Sequence, residues 1–274
     1  MKKFFIVFSF FIIFSTPLLS DFIAFYPDVP PLENYASSFA NNFNSDKANL
    51  KIHIVKNKTF FSSPYAILKA VQKNLINFAV IPLKTFFIFD ISGNIFPLIK
   101  KVYSIKNLNS QFGDVIPFKL ELQQYGIFLI DLIPGGEYYI YSDEDISFKK
   151  KVSVAVTNKI FLKKFKAVYP NTFYLDNLQS LPGLISKKIF NTAVLNTFDL
   201  YGLGMKFNNV FDVGLTEEKL CFIVNANYWK NMDMGSKSIV WDFYSKYRKK
   251  YFIALKKFQD RALNRFTIIK LSLH

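Results

Sequence analysis

Residues 73 to 82 read KNLINFAVIP, a pattern that predicts the end of a helix followed by a short buried strand. Nearly the same phrase returns at residues 187 to 196 as KKIFNTAVLN. Each copy closes a longer run in which strand and helix patterns alternate. The sequence therefore predicts one architecture that is built twice.

Both units have the order β-α-β-α-β. In the first, strand patterns cover 21–27, 50–57 and 76–82, and helical spacing covers 31–44 and 62–74. In the second, strand patterns cover 150–158, 171–177 and 189–196, and helical spacing covers 159–168 and, interrupted by Pro182 and Gly183, 178–188. Duplication and structural convergence both explain this, and both give the same fold.

Alternating strands and helices imply parallel sheets with helices on both faces, so we predict an α/β protein of two lobes. Ligands of such lobes bind in the crevice at the carboxyl ends of the strands, where Pro82 and Asn196 arrive. The extended stretches in 125–142, around a Pro-Gly-Gly turn, and the strand in 219–232 are the expected crossings between lobes.

The expected division is 1–20 as a signal peptide, 21–124 with 214–274 as lobe 1, and 125–213 as lobe 2. An apolar stripe over 237–266 with lysine and arginine opposite predicts a long C-terminal amphipathic helix in lobe 1. Packing on the protein and binding to a membrane surface are both consistent with that stripe.

The first twenty residues carry two lysines, an apolar run and then Pro17, which is typical of a secretory signal peptide ending near Ser20. A membrane anchor is the alternative, but the run is short for a bilayer and is interrupted by the proline. We expect an exported, soluble mature chain.

Residues that could act in catalysis or bind a metal are scarce. Cys221 is the only cysteine, His53 and His274 are the only histidines, and we find no motif of a hydrolase, nucleotide-binding loop or redox pair. We therefore expect no catalysis, no cofactor and no metal. The net charge is +15, but it comes mainly from scattered lysine with only three arginines, so we expect no nucleic-acid binding.

At this level of detail the sequence resembles the periplasmic solute-binding proteins of TRAP transporters, of the dicarboxylate and sialic-acid type. The resemblance is carried, in order, by ILKAVQKNLINFAVIP, YGIFLIDLIPGGEYYIYS, KKKVSVAVTNKIFLKKFKAVYPNTFYLD and LCFIVNANYWKNM. It implies a type II, two-lobed periplasmic receptor that closes on a small organic acid or other small anion. It also implies delivery of that ligand to the membrane permease subunits of the transporter.

The sequence departs from the family at several positions. Ser153 stands where the family has an arginine that binds a substrate carboxylate, and no arginine precedes Arg248. Asn74 and Lys188 stand where glycine is usual, and Lys188 would be strained in a turn with positive φ. We therefore expect at least ten-fold weaker binding of a family-type carboxylate, or a different ligand.

Strand ends and helix caps give the candidate ligand-binding residues, because helix N-termini bind anions even without arginine. They are Tyr26, Ser62, Ser63, Pro82, Ser153, Thr157, Asn158 and Asn196. Two other functions remain open. One is a degenerate receptor that has lost the carboxylate site and engages a membrane or protein partner; the other is an enzyme, which the lack of a catalytic base disfavours.

Overall fold

The protein contains two β-sheets with helices packed around them. The computed structural model describes residues 20–45, 51–55, 63–89, 93–105, 112–146 and 152–271. The predicted signal peptide therefore lies, except for Ser20, outside the described residues. Within the described part of the chain, no helix is long and apolar enough to cross a bilayer.

The first sheet has five strands in the order β2-β1-β3-β10-β4. β1 pairs in parallel with β2 and β3, whereas β10 is antiparallel to both β3 and β4. The strands are β1 (Ser20–Phe25), β2 (Lys51–Val55), β3 (Phe78–Pro82), β4 (Ile127–Pro134) and β10 (Lys219–Asn225).

The second sheet has six strands in the order β11-β9-β5-β8-β6-β7. β6 pairs in parallel with β7 and β8, and β5 is antiparallel to β8 and β9. The strands are β5 (Tyr138–Ser142), β6 (Ser153–Val156), β7 (Asn171–Tyr174), β8 (Thr192–Asn196), β9 (Asn209–Asp212) and β11 (Ile268–Lys270).

The two sheets repeat one topology. In each, the first strand of the predicted unit lies between the second and third, giving β2-β1-β3 and β7-β6-β8. In each, an antiparallel strand from a crossing segment then pairs with the third strand. The predicted two-unit α/β fold is thus confirmed, although both sheets are mixed rather than wholly parallel.

Nine α-helices lie in the described ranges. They are α1 (Pro30–Ser45), α2 (Pro64–Gln72), α3 (Ile95–Ser104), α4 (Phe112–Gln124), α5 (Lys159–Val168), α6 (Leu181–Ser186), α7 (Thr197–Leu203), α8 (Ala226–Asn231) and α9 (Met234–Leu263). Two 3₁₀ helices, Leu83–Phe89 and Leu178–Ser180, complete the described helical elements. The weak helix predicted over 178–188 is therefore a 3₁₀ turn followed by the short α6, which begins next to Pro182.

The repeated phrase forms the same turn in both units. Asn74 follows α2 with φ 56° and Lys188 follows α6 with φ 57°, so the condition under which strain is expected at Lys188 is met. The backbone N–H one residue later reaches back into the helix in both copies, from Leu75 to Ala70 at 2.9 Å and from Ile189 to Leu184 at 3.0 Å. This closure ends each helix and directs the chain into β3 or β8.

Helix α9 packs along the first sheet. Of its predicted apolar stripe, Phe243, Tyr251 and Leu255 are buried, and Ile239, Tyr247 and Phe258 are partly buried against the same core. Tyr251 also donates a hydrogen bond to the carbonyl of Pro134 at 2.7 Å. The stripe therefore serves packing within the protein.

Candidate ligand cleft

A cleft of about 670 Å³ lies where segments of both sheets meet. From the side of the first sheet it is lined by residues that follow β1, begin α2 or lie in the Leu83–Phe89 3₁₀ helix. From the side of the second sheet it is lined by residues that follow β6 or β7. The lining residues are Tyr26, Ser63, Pro64, Tyr65, Lys84, Thr85, Phe87, Ile88, Thr157, Lys159, Tyr174, Leu175, Asp176, Asn177, Leu178 and Gln179.

The amino end of α2 faces the cleft. Ser63 is the N-cap, and its hydroxyl oxygen accepts a hydrogen bond from the N–H of Ala66 at 3.2 Å. Pro64 occupies the first turn, where its missing N–H costs nothing. The serine and proline that start this helix therefore place its positive end against the cleft.

The amino end of α5 faces the cleft from the other sheet. Asn158 is the N-cap and accepts from the N–H of Ile160 at 3.2 Å. Lys159, the first residue of the helix, is exposed and lies 5.1 Å from the centroid of the Tyr174 ring. Lys159 makes no ion pair with any described residue. No carboxylate in the described ranges therefore balances this cation at the mouth of the cleft.

Lys84 joins the two sides of the cleft. Its Nζ lies 2.6 Å from Oδ2 of Asp199, in α7 after β8, and 4.0 Å from Oε2 of Glu218, just before β10. The Lys84 side chain is 13% exposed and both carboxylates are 1% exposed. Two carboxylates therefore balance the charge of this lysine, so it offers little attraction to an anionic ligand.

A buried polar cluster continues behind Lys84. Glu218 accepts hydrogen bonds from the hydroxyls of Tyr103 and Tyr138. The amide of Asn158 donates to the same two hydroxyl oxygens, at 2.9 Å and 3.2 Å. Tyr103 lies in α3 and Tyr138 in β5, so the cluster fastens a helix of the first half to a strand and a helix cap of the second.

Burial and charge shift the titration of this cluster. Burial raises the pKa of Glu218, and Lys84 and the two tyrosine hydroxyls oppose that rise. Burial alone would lower the pKa of Lys84, but Asp199 and Glu218 outweigh it and raise the pKa. Burial and Asp199 raise the pKa of Tyr26, and Lys84 opposes that rise. The lysine is thus charged and the tyrosine neutral at ordinary pH.

The structure brings three of the predicted site residues to the cleft surface: Tyr26, Ser63 and Thr157. Three others lie beside it and are buried. Asn158 caps α5 and bonds the tyrosine cluster, Asn196 caps α7 by accepting from the N–H of Asp199 at 2.8 Å, and Pro82 pairs with Leu220.

The other two predicted residues do not line the described cleft. Ser62 lies outside the described residues. Ser153 begins β6, at the end of the strand opposite to Thr157, and its N–H donates to Oδ1 of Asn191 at 2.9 Å. The crevice lies at the carboxyl ends of the strands, whereas Ser153 lies at the amino end of β6. This placement disfavours contact between Ser153 and a ligand.

Sequence reasoning missed Lys84, Thr85 and Lys159. Thr85 is 7% exposed and lines the cleft, and its Oγ1 has no partner among the described residues. The signal was present, since Lys84 and Thr85 interrupt an apolar run directly after the strand that ends at Pro82. No group of three described His, Cys, Asp or Glu residues is arranged to hold a metal ion.

Comparison with known proteins defines the fold. No protein-family model matches the chain, and no curated protein matches it. Solved structures do. A TRAP periplasmic solute-binding protein of Pseudomonas aeruginosa with bound L-malate superimposes with a TM-score of 0.75 at 12% identity, covering 93% of this chain and 94% of that one.

Two further structures agree. An extracytoplasmic solute receptor of Bordetella pertussis that binds pyroglutamic acid gives a TM-score of 0.72 at 15% identity, covering 92% of this chain and 87% of that one. The periplasmic ectoine-binding protein of a TRAP transporter of Halomonas elongata gives 0.73 at 13% identity, covering 92% and 86%. The chain therefore has the two-lobed α/β fold of the periplasmic solute-binding proteins of TRAP transporters.

Proposed function

We propose that the protein is an extracytoplasmic receptor that captures a small organic acid or other small anion between two lobes. It then delivers this ligand to the membrane permease of a TRAP-type transporter. The observation that carries the proposal is the cleft of about 670 Å³, which receives side chains from both sheets. Its volume falls in the range of small-molecule sites. The fold shared with the receptors named above supports the same role, and those neighbours are described as binding proteins rather than enzymes.

The ligand anion is held by helix ends and one lysine rather than by an arginine. The amino ends of α2 and α5 approach the cleft from opposite sides, and aligned N–H groups stabilise negative charge there. Lys159 adds a cation that no described carboxylate balances. Thr85 supplies a hydroxyl that has no other partner in the part of the chain that the structure describes.

Charge balance favours a ligand with a single negative charge. Asp199 and Glu218 already balance Lys84, and Asp176 adds a carboxylate to the lining. A second ligand carboxylate would find no other unpaired cation among the described residues that line the cleft. A hydrogen-bond donor of the ligand would instead find Asp176, and an apolar part would find the rings of Tyr65 and Phe87.

Closure follows from contacts that need both sides of the cleft. Lys84 with Asp199, and Tyr103 with Asn158, connect segments that belong to different halves of the protein. A ligand held by α2 and α5 together adds contacts that exist only in the closed form, so it shifts the population toward closure. The permease then distinguishes the closed receptor from the open one.

The division 21–124 with 214–274 and 125–213, and export to the periplasm, belong to this proposal, although β4, inside 125–213, pairs in the first sheet and β11, inside 214–274, pairs in the second. The chain leaves the first sheet after Pro134, enters the second at Tyr138, returns to the first at Lys219 and reaches the second again at Ile268. These crossings support a hinge near the two predicted connections.

The test is a set of thermal melts of the purified protein with monocarboxylates, dicarboxylates and neutral analogues. A ligand that binds the folded state raises the melting temperature by mass action. We expect a monocarboxylate to raise it, and Lys159→Gln and Thr85→Val each to reduce the shift. Lys163→Gln, an exposed lysine on the same helix, is the matched control.

No shift with any anion would contradict the proposal and favour a degenerate receptor. The observation that favours this second candidate is that the lysine deepest in the described cleft, Lys84, is already paired with Asp199. An equal reduction in Lys163→Gln and Lys159→Gln would also contradict the proposed site, because it would indicate a general charge effect.

A further inference from the structure

A second concave site lies between α1, α7 and α9, and no part of its lining belongs to the cleft. We name it the basic groove. It encloses about 480 Å³ and is lined by Pro30, Pro31, Asn34, Leu200, Tyr201, Ala254, Lys257, Phe258, Arg261, Ala262 and Arg265. This volume also falls in the range of small-molecule sites.

One edge of the basic groove is cationic. Lys257 and Arg261 are four residues apart on α9, so they lie on one face of the helix, and Arg265 follows just after the helix ends. The groove thus contains two of the three arginines in the chain. None of the described residues that line it is acidic.

These charges are not balanced within the described structure. Lys257 and Arg261 form neither an ion pair nor a hydrogen bond with a described residue. Arg265 donates only a long hydrogen bond, from Nη2 to the carbonyl of Met205 at 3.5 Å, and its guanidinium lies 4.9 Å from the centroid of the Phe266 ring. Three cations around one concavity repel one another, and a bound anion would relieve that repulsion.

The positive potential comes from side chains and not from the end of α1. Pro30 and Pro31 have no N–H group, and the N–H groups of Leu32 and Glu33 both donate to the carbonyl of Val29 at 3.0 Å. The helix end therefore offers no free amide in its first turn to a ligand.

The floor of the groove is apolar and aromatic. The ring of Phe258 meets the rings of Phe198 and Tyr201 edge to face, with centroids 5.4 Å and 5.1 Å apart. Leu200 is 1% exposed, whereas Tyr201 is 51% exposed. The exposed ring of Tyr201 and the partly buried ring of Phe258 therefore leave apolar surface next to the cations.

We propose that the basic groove binds a small amphipathic anion, with one acidic group held by Arg261 and Arg265 and an apolar ring placed on Phe258 and Tyr201. Guanidinium groups suit this role because they bind carboxylates and phosphates in a bidentate manner and also stack on rings. The site is independent of the cleft, so it stands whether or not the cleft captures a solute.

The test is calorimetric titration of the purified protein with phenyl phosphate. We expect saturable binding that Arg261→Gln weakens about ten-fold or more, since a hydrogen bond to a charged group is lost. Arg261→Lys should restore part of the affinity. Phenol and inorganic phosphate should each bind more weakly than phenyl phosphate, because each lacks one half of the recognised structure.

Two control variants locate the binding. Lys249→Gln removes an exposed charge of α9 that does not line the groove, and it should leave the affinity unchanged. Lys159→Gln reports on the cleft, because binding that it removes and Arg261→Gln leaves intact belongs to the cleft and not to the groove. Circular dichroism and melting temperature check that Arg261→Gln remains folded, as expected for an exposed residue.

Four results would overturn the proposal. They are the absence of saturable binding, equal losses in Arg261→Gln and Lys249→Gln, a loss in Lys159→Gln without one in Arg261→Gln, and inorganic phosphate binding as tightly as phenyl phosphate. Equal losses in Arg261→Gln and Lys249→Gln would indicate a general electrostatic effect. A loss confined to Lys159→Gln would indicate binding in the cleft. Equally tight binding of inorganic phosphate would indicate a site without an apolar component.

Discussion

The side-chain Oδ1 of Asn77 accepts a hydrogen bond from the backbone N–H of Phe22 at 2.9 Å. The second copy of the repeated phrase makes the same contact, from the N–H of Ser153 to Oδ1 of Asn191 at 2.9 Å. In each half the asparagine precedes the third strand and satisfies an N–H near the start of the first. The phrase is therefore repeated because it builds one structural unit, a helix-ending turn followed by a side chain that fixes the neighbouring strand.

Substitution of Asn77 separates this contact from simple packing. Asn77→Leu keeps the volume but leaves the N–H of Phe22 unpaired, so the free energy of unfolding should fall by about 1 to 3 kcal/mol. Asn77→Asp keeps an acceptor at the same place and should lose less. Urea unfolding measures both, with the exposed Asn227→Leu as control. Equal losses in the two Asn77 variants would show that the acceptor is unimportant.

The ion pair between Lys84 and Asp199 should also contribute strongly to stability. Lys84→Met would leave the carboxylates of Asp199 and Glu218 buried without their cation, and breaking a buried pair in this way costs about 3 to 5 kcal/mol. The double variant Lys84→Met with Asp199→Asn should be more stable than Lys84→Met alone, because it removes one unpaired charge. Denaturant unfolding of the three proteins, with Lys163→Met as the exposed control, measures this order. A double variant less stable than the single one would contradict it.

Asp131 gives the protein a pH-dependent stability. It lies in β4, is 6% exposed, and burial raises its pKa to about 7, although Arg248, the N–H of Leu132, Tyr244 and Lys119 oppose that rise. The folded-state pKa is higher than the unfolded value of 3.8. Folding therefore favours the protonated carboxyl, and the stability that it contributes is full below pH 4 and is lost as the pH rises to 7.

Asp131→Asn removes this titration. The variant should match the parent near pH 4 and become more stable than the parent as the pH rises, by about 4 kcal/mol at pH 8, with one pKa unit counted as about 1.4 kcal/mol. Urea unfolding at pH 4 to 8 tests the trend. A difference between the two proteins that does not change with pH would show that Asp131 does not titrate in this range.

The local pattern was sufficient to predict the elements of both units. Periodicity and caps depend on neighbours in sequence, and Ser63 and Asn158 were identified as caps for that reason. Sheet membership depends on distant segments. The sequence marked 219–232 as extended, but nothing local showed that β10 would lie between β3 and β4 of the first sheet.

The site could be predicted only in part. Tyr26, Ser63 and Thr157 follow from the rule that ligands meet strand ends and helix starts, and all three line the cleft. Ser153 was chosen from the family resemblance, whereas its place at the start of β6 argues against it. Lys84 and Glu218 are 134 residues apart in sequence, so their contact depends on tertiary structure that no local pattern contains.

Lys188 should be a site of backbone strain. Its φ of 57° lies in the left-handed region, which costs a residue with a Cβ about 1 to 2 kcal/mol, whereas glycine adopts it without strain but loses more conformational entropy on folding. Lys188→Gly should therefore raise the free energy of unfolding by about 0.5 to 1 kcal/mol. Asn74→Gly should gain less stability than Lys188→Gly, since asparagine tolerates this conformation better.

Lys187→Gly is the control for Lys188→Gly. It changes an adjacent exposed lysine with φ −83°, relieves no strain and should destabilise the protein. Chemical unfolding of the three variants measures the differences, and a loss of stability in Lys188→Gly as large as that in Lys187→Gly would show that the turn stores no strain.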